Sequence, residues 1–255
     1  MSHCPFRRMG AIVDVVHRMT RTILTALAVA ASVAACQSAP ASPNTSSPND
    51  PTGVSEMTTA SQTLRTVSGL DNTPARLADA TLIMIDFQNT YRTSVMALPD
   101  AEATLAAGAR LLEAARALGR PIVHIVNDGG PGSPYDIRAD IGAISDAVAP
   151  RPGEPVVVKK VPNGFHETDL EKTLRDLGAG PDLVLAGFMT HMCVQYTAEG
   201  AFYRGYRPTI VAEATATRPL PGVTGTVTAD ALQTAALTGI GDLFGVVVPT
   251  VDDLR

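Results

Sequence analysis

With 255 residues, 45% of them hydrophobic and 18% charged, the chain can bury one sizeable core and is neither disordered by composition nor fibrous. Its 20 Lys and Arg against 25 Asp and Glu leave a net charge of −5, with the cations scattered, which excludes the basic footprint that a nucleic-acid partner requires. Of the three cysteines, Cys4, Cys36 and Cys193, only the last falls in the body of the chain, so a disulfide framework is excluded as well.

Residues 1–36 read as an address. Arg18 and Arg21 precede an apolar run from Ile23 to Ala31, the charged and apolar regions of a secretory signal. The run is too short to span a bilayer. It ends in Val33, Ala34, Ala35 and Cys36, which resembles the lipobox of bacterial lipoproteins. That resemblance implies a lipid on the Cys36 sulfur and a chain exported and anchored to the cell envelope. Met19 alone would supply a compact signal, so the segment before it reads as an over-long start. Cleavage before Cys36 would remove Arg7, Arg8, Arg18, Arg21 and Asp14 and leave a more acidic protein. Residues 37–63 follow as a disordered tether, rich in Ser, Pro, Ala and Asn from Gln37 to Pro51.

From residue 64 to 255 apolar runs alternate with helical patterns, the signature of βαβ units. Ala80 to Phe87, Pro121 to Asn127, Pro155 to Lys159, Asp182 to Phe188, Pro208 to Glu213 and Gly245 to Pro249 are short and almost wholly apolar, as strands covered on both faces should be. The expected fold is therefore a three-layer α/β/α, doubly wound domain on a six-stranded, mainly parallel sheet. One helix is expected from Asp100, with Leu105, Ala109, Leu112 and Arg116 on one stripe and Leu111, Ala115 and Leu118 beside it, ending at Gly119. Others are expected over Thr168 to Leu177, capped from Thr168 or Glu167, from near Cys193, and over Thr228 to Leu237. The Gly- and Pro-rich loop from Gly129 to Pro152 reads equally as a lid or as a surface excursion.

In an open parallel sheet, ligands bind beyond the carboxyl ends of the strands, so polar residues there carry functional weight. Asp86 interrupts the run Leu82 to Ile85. Lys159 closes Val156 to Val158, and Cys193 lies a short turn after the fourth strand. A free thiol is only a few per cent thiolate at neutral pH. A neighbouring carboxylate would raise its pKa, whereas an ammonium at ~4 Å would favour the thiolate by up to ~4 kcal/mol at an effective dielectric near 20. Lysine is thus expected to offset aspartate, aided by a helix N-terminus beneath Cys193, and Asp86 is left to shuttle the proton. Singly, Asp86 and Lys159 read equally as a structural ion pair and Cys193 as a small buried hydrophobe. Together they form a candidate catalytic trio.

Three blocks carry a resemblance to the isochorismatase-like cysteine hydrolases, a superfamily that includes nicotinamidases and N-carbamoylsarcosine amidohydrolase. They are Ile83-Met84-Ile85-Asp86-Phe87-Gln88-Asn89, then Lys159 six residues before Phe165, and Gly187-Phe188-Met189-Thr190-His191-Met192-Cys193-Val194. The likeness runs from about Arg76 to Val248. It implies the isochorismatase-like hydrolase fold, a triad of Asp86, Lys159 and Cys193, a cis peptide between Phe188 and Met189, and an oxyanion hole from the backbone N–H groups of Met189 and Cys193. Gln88 and Thr190 would be supporting donors behind the site. Phe165 would be a pocket wall or a core aromatic, and His191 would line the pocket or cap the helix. Nicotinamidases carry metal-binding histidines near the second strand, but Asn127-Asp128-Gly129-Gly130 supplies none, and His124 lies within the strand. No metal and no other cofactor is expected, and nicotinamide is disfavoured. The resemblance implies a small-molecule substrate with an amide-type C–N bond, cleaved through a thioester. A vinyl ether hydrolase of the isochorismatase type and a non-catalytic binding protein are the alternatives. Relatives in the superfamily are often homo-oligomers, though no interface is legible in the sequence.

Overall fold

Alternating side chains on each apolar strand demand cover on two faces, and the chain meets that demand with two cores. The computed structural model describes residues 61–255, of which Thr63–Arg255 is one compact unit. The signal segment, Cys36, the candidate starts Met1, Met9 and Met19 and nearly all of the tether lie outside the described residues. Strands β1 (Thr81–Ile85), β2 (Ile122–Asn127), β3 (Val156–Lys159), β4 (Asp182–Phe188) and β5 (Arg207–Ala216) pair with the last strand, β8 (Val246–Val248), in the order β3-β2-β1-β4-β5-β8, every pair parallel. Leu82 and Met84 of β1 join Leu105, Leu111 and Leu112 on one side of the sheet. Ile83 and Ile85 join Ile125, Leu170, Leu174, Leu185 and Ile210 on the other. This is the doubly wound, three-layer fold, and its six strands fall where the apolar runs lie.

The helices are α1 (Leu64–Val67), α2 (Thr90–Thr93), α3 (Ala101–Ala117), α4 (Leu170–Asp176), α5 (Gln195–Tyr203) and α6 (Ala229–Gly239). Thr228 caps α6 by accepting from the Ala231 N–H. Gly119 and Gly178 follow α3 and α4 with φ of +61° and +67°, the left-handed conformation that ends a helix.

Several details depart from the sequence reading. Asp100 precedes α3 but its side chain makes no capping hydrogen bond, and Leu118 lies past the last turn, half exposed to solvent. Helix α4 starts at Leu170 rather than Thr168. Thr168 Oγ1 instead donates to the Gly164 carbonyl at 2.5 Å and accepts from Leu170 N–H at 3.3 Å, tying the loop before the helix. Strand β3 is not covered on both faces. It is the sheet edge, and Val156 and Val158 are 43% and 45% exposed. An antiparallel hairpin, β6 (Leu220–Gly222) with β7 (Gly225–Val227), was not expected; its short strands carry little apolar pattern, and all three residues of β7 are exposed. No helix among the described residues is long and apolar enough to cross a membrane.

Candidate active site

The sheet order brings the carboxyl ends of β3, β2, β1 and β4 side by side. Asp86 follows β1, held by its N–H donating to Ile125 O at 2.9 Å and turned to φ +50°. Aspartate is among the residues that tolerate this left-handed region, and here the turn carries its carboxylate away from the strand line. Lys159 is the last residue of β3, two strands from Asp86, and its long side chain passes the end of β2 to reach it. Cys193 sits in a π-helical turn, Thr190–Val194, between β4 and α5. At the end of β4, Gly187 has φ +133° and packs so tightly on β1 that a Cβ would lie 1.8 Å from Ile85 O. The peptide bond between Phe188 and Met189 is cis.

These residues meet. Lys159 Nζ lies 2.7 Å from Asp86 Oδ2 and donates to Cys193 Sγ at 3.2 Å. It also approaches Asn127 Oδ1, at 3.4 Å, from the end of β2. Asp86 is wholly buried, Lys159 all but so, and Cys193 is 7% exposed. Asp86 Oδ1 has no hydrogen-bond donor of its own. Burial pushes the Cys193 thiol up to about 12, the charge of Asp86 adds to this, and Lys159 opposes it. Burial likewise raises Asp86 above the ordinary carboxylate range despite Lys159. Lys159 itself is disfavoured as a cation by burial, but Asp86 and Cys193 outweigh that and hold it protonated. Lys159 opposes the upward shift of the thiol, as expected of it, but does not cancel it. Desolvation and the carboxylate prevail, and the resting group is a thiol.

The flanking residues take several roles. Gln88, fully buried, donates to Asn127 O at 3.0 Å and Gly142 O at 2.7 Å and accepts from Asn127 N–H at 2.9 Å. It thereby bolts the end of β2 and the 129–152 loop to the segment after β1. Ser145 N–H donating to Phe87 O and Asn89 N–H donating to Ala143 O reinforce this, so the loop is fastened along residues 142–145. Thr190 is buried with its hydroxyl unpartnered. Phe165 is buried in a core cluster, its ring 6.0 Å from that of Tyr206 and under the Arg204 guanidinium. His191 caps no helix; its Nδ1 lies 2.5 Å from Thr217 Oγ1 at the end of β5. Burial and the nearby Arg218 charge hold its ring below the ordinary histidine value. The Met189 N–H donates to no group among the described residues. His124 is buried beneath Glu154, 3.1 Å away.

Sequence reasoning missed Asn127, Tyr91, Tyr135 and Arg218. The strand-end rule that singled out Lys159 also applies to Asn127, its partner in the register. Tyr91 is buried and Tyr135 half-buried, with ring centroids 5.8 Å apart. Burial raises both phenols, and the charges of Asp86 and Cys193 raise them further.

The likeness to known proteins decides the family. The isochorismatase domain model matches residues 80–252. The chain belongs to the isochorismatase family. This isochorismatase-family chain is 33% identical to the secreted isochorismatase effector Isc1 of Verticillium dahliae, over 74% of its own length and 97% of that protein. It is 33% identical to the ureidoacrylate amidohydrolase RutB of Methylorubrum extorquens, over 66% and 79% of the two chains. The crystal structure of an isochorismatase from Pseudomonas putida superposes with a TM-score of 0.73 at 37% identity, covering 75% of this chain and 98% of that one. At this level the isochorismatase-family chain is a hydrolase.

Proposed function

We propose that this hydrolase cleaves the C–N bond of a small amide through a thioester on Cys193. The observation that carries the reading is the buried contact series from Asp86 Oδ2 to Lys159 Nζ at 2.7 Å and on to Cys193 Sγ at 3.2 Å. The similarity to an amidohydrolase supports the choice of bond.

The protonation states set the order of events. Cys193 waits as a thiol, so its proton leaves as the sulfur attacks, and the raised pKa of Asp86 makes it a stronger base than an ordinary carboxylate. The Sγ–H proton passes to Asp86 while Sγ bonds to the amide carbon. Lys159 stays cationic and balances whichever neighbour is anionic. The carbonyl oxygen becomes an oxyanion within reach of the Met189 and Cys193 N–H groups. Asp86 then returns the proton to the leaving nitrogen as the C–N bond breaks, giving an amine and a thioester. Water enters, Asp86 takes one of its protons, hydroxide adds to the thioester carbon, and the thiol leaves with that proton restored. Asp86 thus serves as base and acid in turn, without net change in its proton count.

The test is a panel of amides, carbamoyl compounds and lactams given to the purified protein and to Cys193→Ser. An acyl adduct on the Cys193 peptide by mass spectrometry and loss of turnover in the variant are expected. Turnover that survives Cys193→Ala defeats the reading. The sequence from Met19 to Cys36 further supports export and lipid anchoring through Cys36. Metabolic labelling with a fatty-acid probe, lost in Cys36→Ala, tests that separately.

A further inference from the structure

Apolar side chains exposed singly are ordinary on a protein surface, whereas a cluster of them is not. One such cluster gathers where the compact unit begins. Leu64 and Val67 lie three residues apart on the same side of α1, and Val67 is 67% exposed. Leu64 N–H donates to Asp242 Oδ1 at 2.8 Å and Arg65 Nη1 donates to Leu243 O at 3.0 Å, which ties α1 to the π-helical turn Ile240–Phe244. Helix α5 packs on the same turn. There Phe202, Tyr203 and Phe244 meet edge to face, every pair of ring centroids 5.7 to 6.1 Å apart, and Tyr203 is 54% exposed.

The cluster has a definite place relative to the trio. Tyr203 comes shortly before Arg207, the first residue of β5, and Phe244 shortly before Val246, the first of β8. It therefore sits at the amino ends of these strands, whereas Asp86, Lys159 and Cys193 stand at carboxyl ends, across the length of the sheet. The cations beside it are matched, Arg204 to Glu171 at 3.2 Å and Arg207 to Asp182 at 2.6 Å. What the cluster offers a partner is thus apolar and aromatic surface.

The chain that leads into the cluster identifies the partner. Residues 37–62 join Cys36 to the start of this unit, and whatever their conformation they span at most about 90 Å. A lipid on Cys36 would keep the cluster within that reach of a bilayer, where proximity makes even weak contact effective. Tyrosine suits the headgroup boundary, because its apolar body and polar tip are both satisfied there.

We propose that the face formed by Leu64, Val67, Phe202, Tyr203 and Phe244 docks on the bilayer to which Cys36 is anchored, so that the trio at the other end of the sheet faces substrate in solution. The inference rests on the reading of Cys36 as the lipidated residue.

The chain contains no tryptophan, so one introduced at a chosen position reports only its own surroundings. Two full-length variants place it differently: Tyr203→Trp in the cluster, and Val95→Trp at an exposed position beyond the carboxyl end of β1. Each is purified with its lipid and reconstituted into vesicles of phosphatidylethanolamine and phosphatidylglycerol, with and without phosphatidylcholine brominated on its acyl chains, which quenches tryptophan at close range. Loss of emission is expected in Tyr203→Trp and not in Val95→Trp, and the double variant Tyr203→Trp/Val67→Asp should escape the quenching. An unquenched Tyr203→Trp in protein that floats with the vesicles, or equal quenching at both positions, overturns the docking face while leaving the anchor intact. A protein that neither floats with the vesicles nor takes up a fatty-acid label overturns the anchor and this inference together. Emission from Tyr203→Trp already shielded without vesicles, with a dimer in sedimentation, assigns the face to a second copy of the chain and overturns the docking as well.

Discussion

Lys159 and Asp86 form an ion pair of 2.7 Å with neither side chain accessible to solvent. Two desolvated charges hold one another in place, and removing either leaves the other buried and uncompensated. Lys159→Met is therefore expected to cost about 3–5 kcal/mol of stability and to abolish turnover. The double variant Lys159→Met/Asp86→Leu should recover much of the stability and none of the activity. Thermal melts of the three proteins check this.

Cys193 gives the alkaline limb of stability a specific origin. Its folded pKa, about 12, lies above the ordinary thiol value of 9.0, so the folded state keeps a proton that the unfolded state has lost. The contribution is intact below pH 9 and is lost as pH rises toward 12, at about 1.4 kcal/mol per pH unit in that window. Lys159, also raised, adds loss in the same direction above its unfolded value of 10.5. Denaturant titrations from pH 8 to 11 should show a shallower decline in Cys193→Ala than in the native protein.

At acid pH the sensitive group is Glu154. Arg116 takes both its oxygens at 2.8 Å, and Arg151 N–H and His124 also bind it, holding its carboxyl at about 2 although burial opposes this. Its contribution is present above the ordinary value of 4.5 and lost as pH falls toward 2. Glu154→Gln should lower stability at neutral pH by about 2–3 kcal/mol and flatten the loss between pH 4.5 and 2.

The Gln88 side chain fastens the 129–152 loop and makes no hydrogen bond to the side chains of the trio. In Gln88→Ala, a cost of about 1–3 kcal/mol is expected from the unpartnered groups of Asn127 and Gly142. Amide hydrogen exchange at residues 142–145 should accelerate, and kcat should fall more than KM rises, because Asn127 would be less firmly placed beside Lys159.

Gly187 admits no side chain. Gly187→Ala would bring its Cβ against the β1 backbone at a φ that L-residues rarely adopt, so the variant is expected to lose the fold rather than activity alone. Far-UV circular dichroism of the soluble fraction decides this.

The amino-acid sequence alone determined the six strands, the principal helices and the three residues at strand ends. Apolar runs, helical periodicity and a polar residue that closes an apolar run are local features that need no neighbour to be read. Only the tertiary structure decided that β3 is the sheet edge, leaving Val156 and Val158 exposed, and that Lys159 reaches both Asp86 and Cys193 from two strands away. It also decided the protonation of the nucleophile. A thiol's pKa depends on how much water the surrounding packing removes and on which charges it brings near, and both arise from segments far apart in the chain.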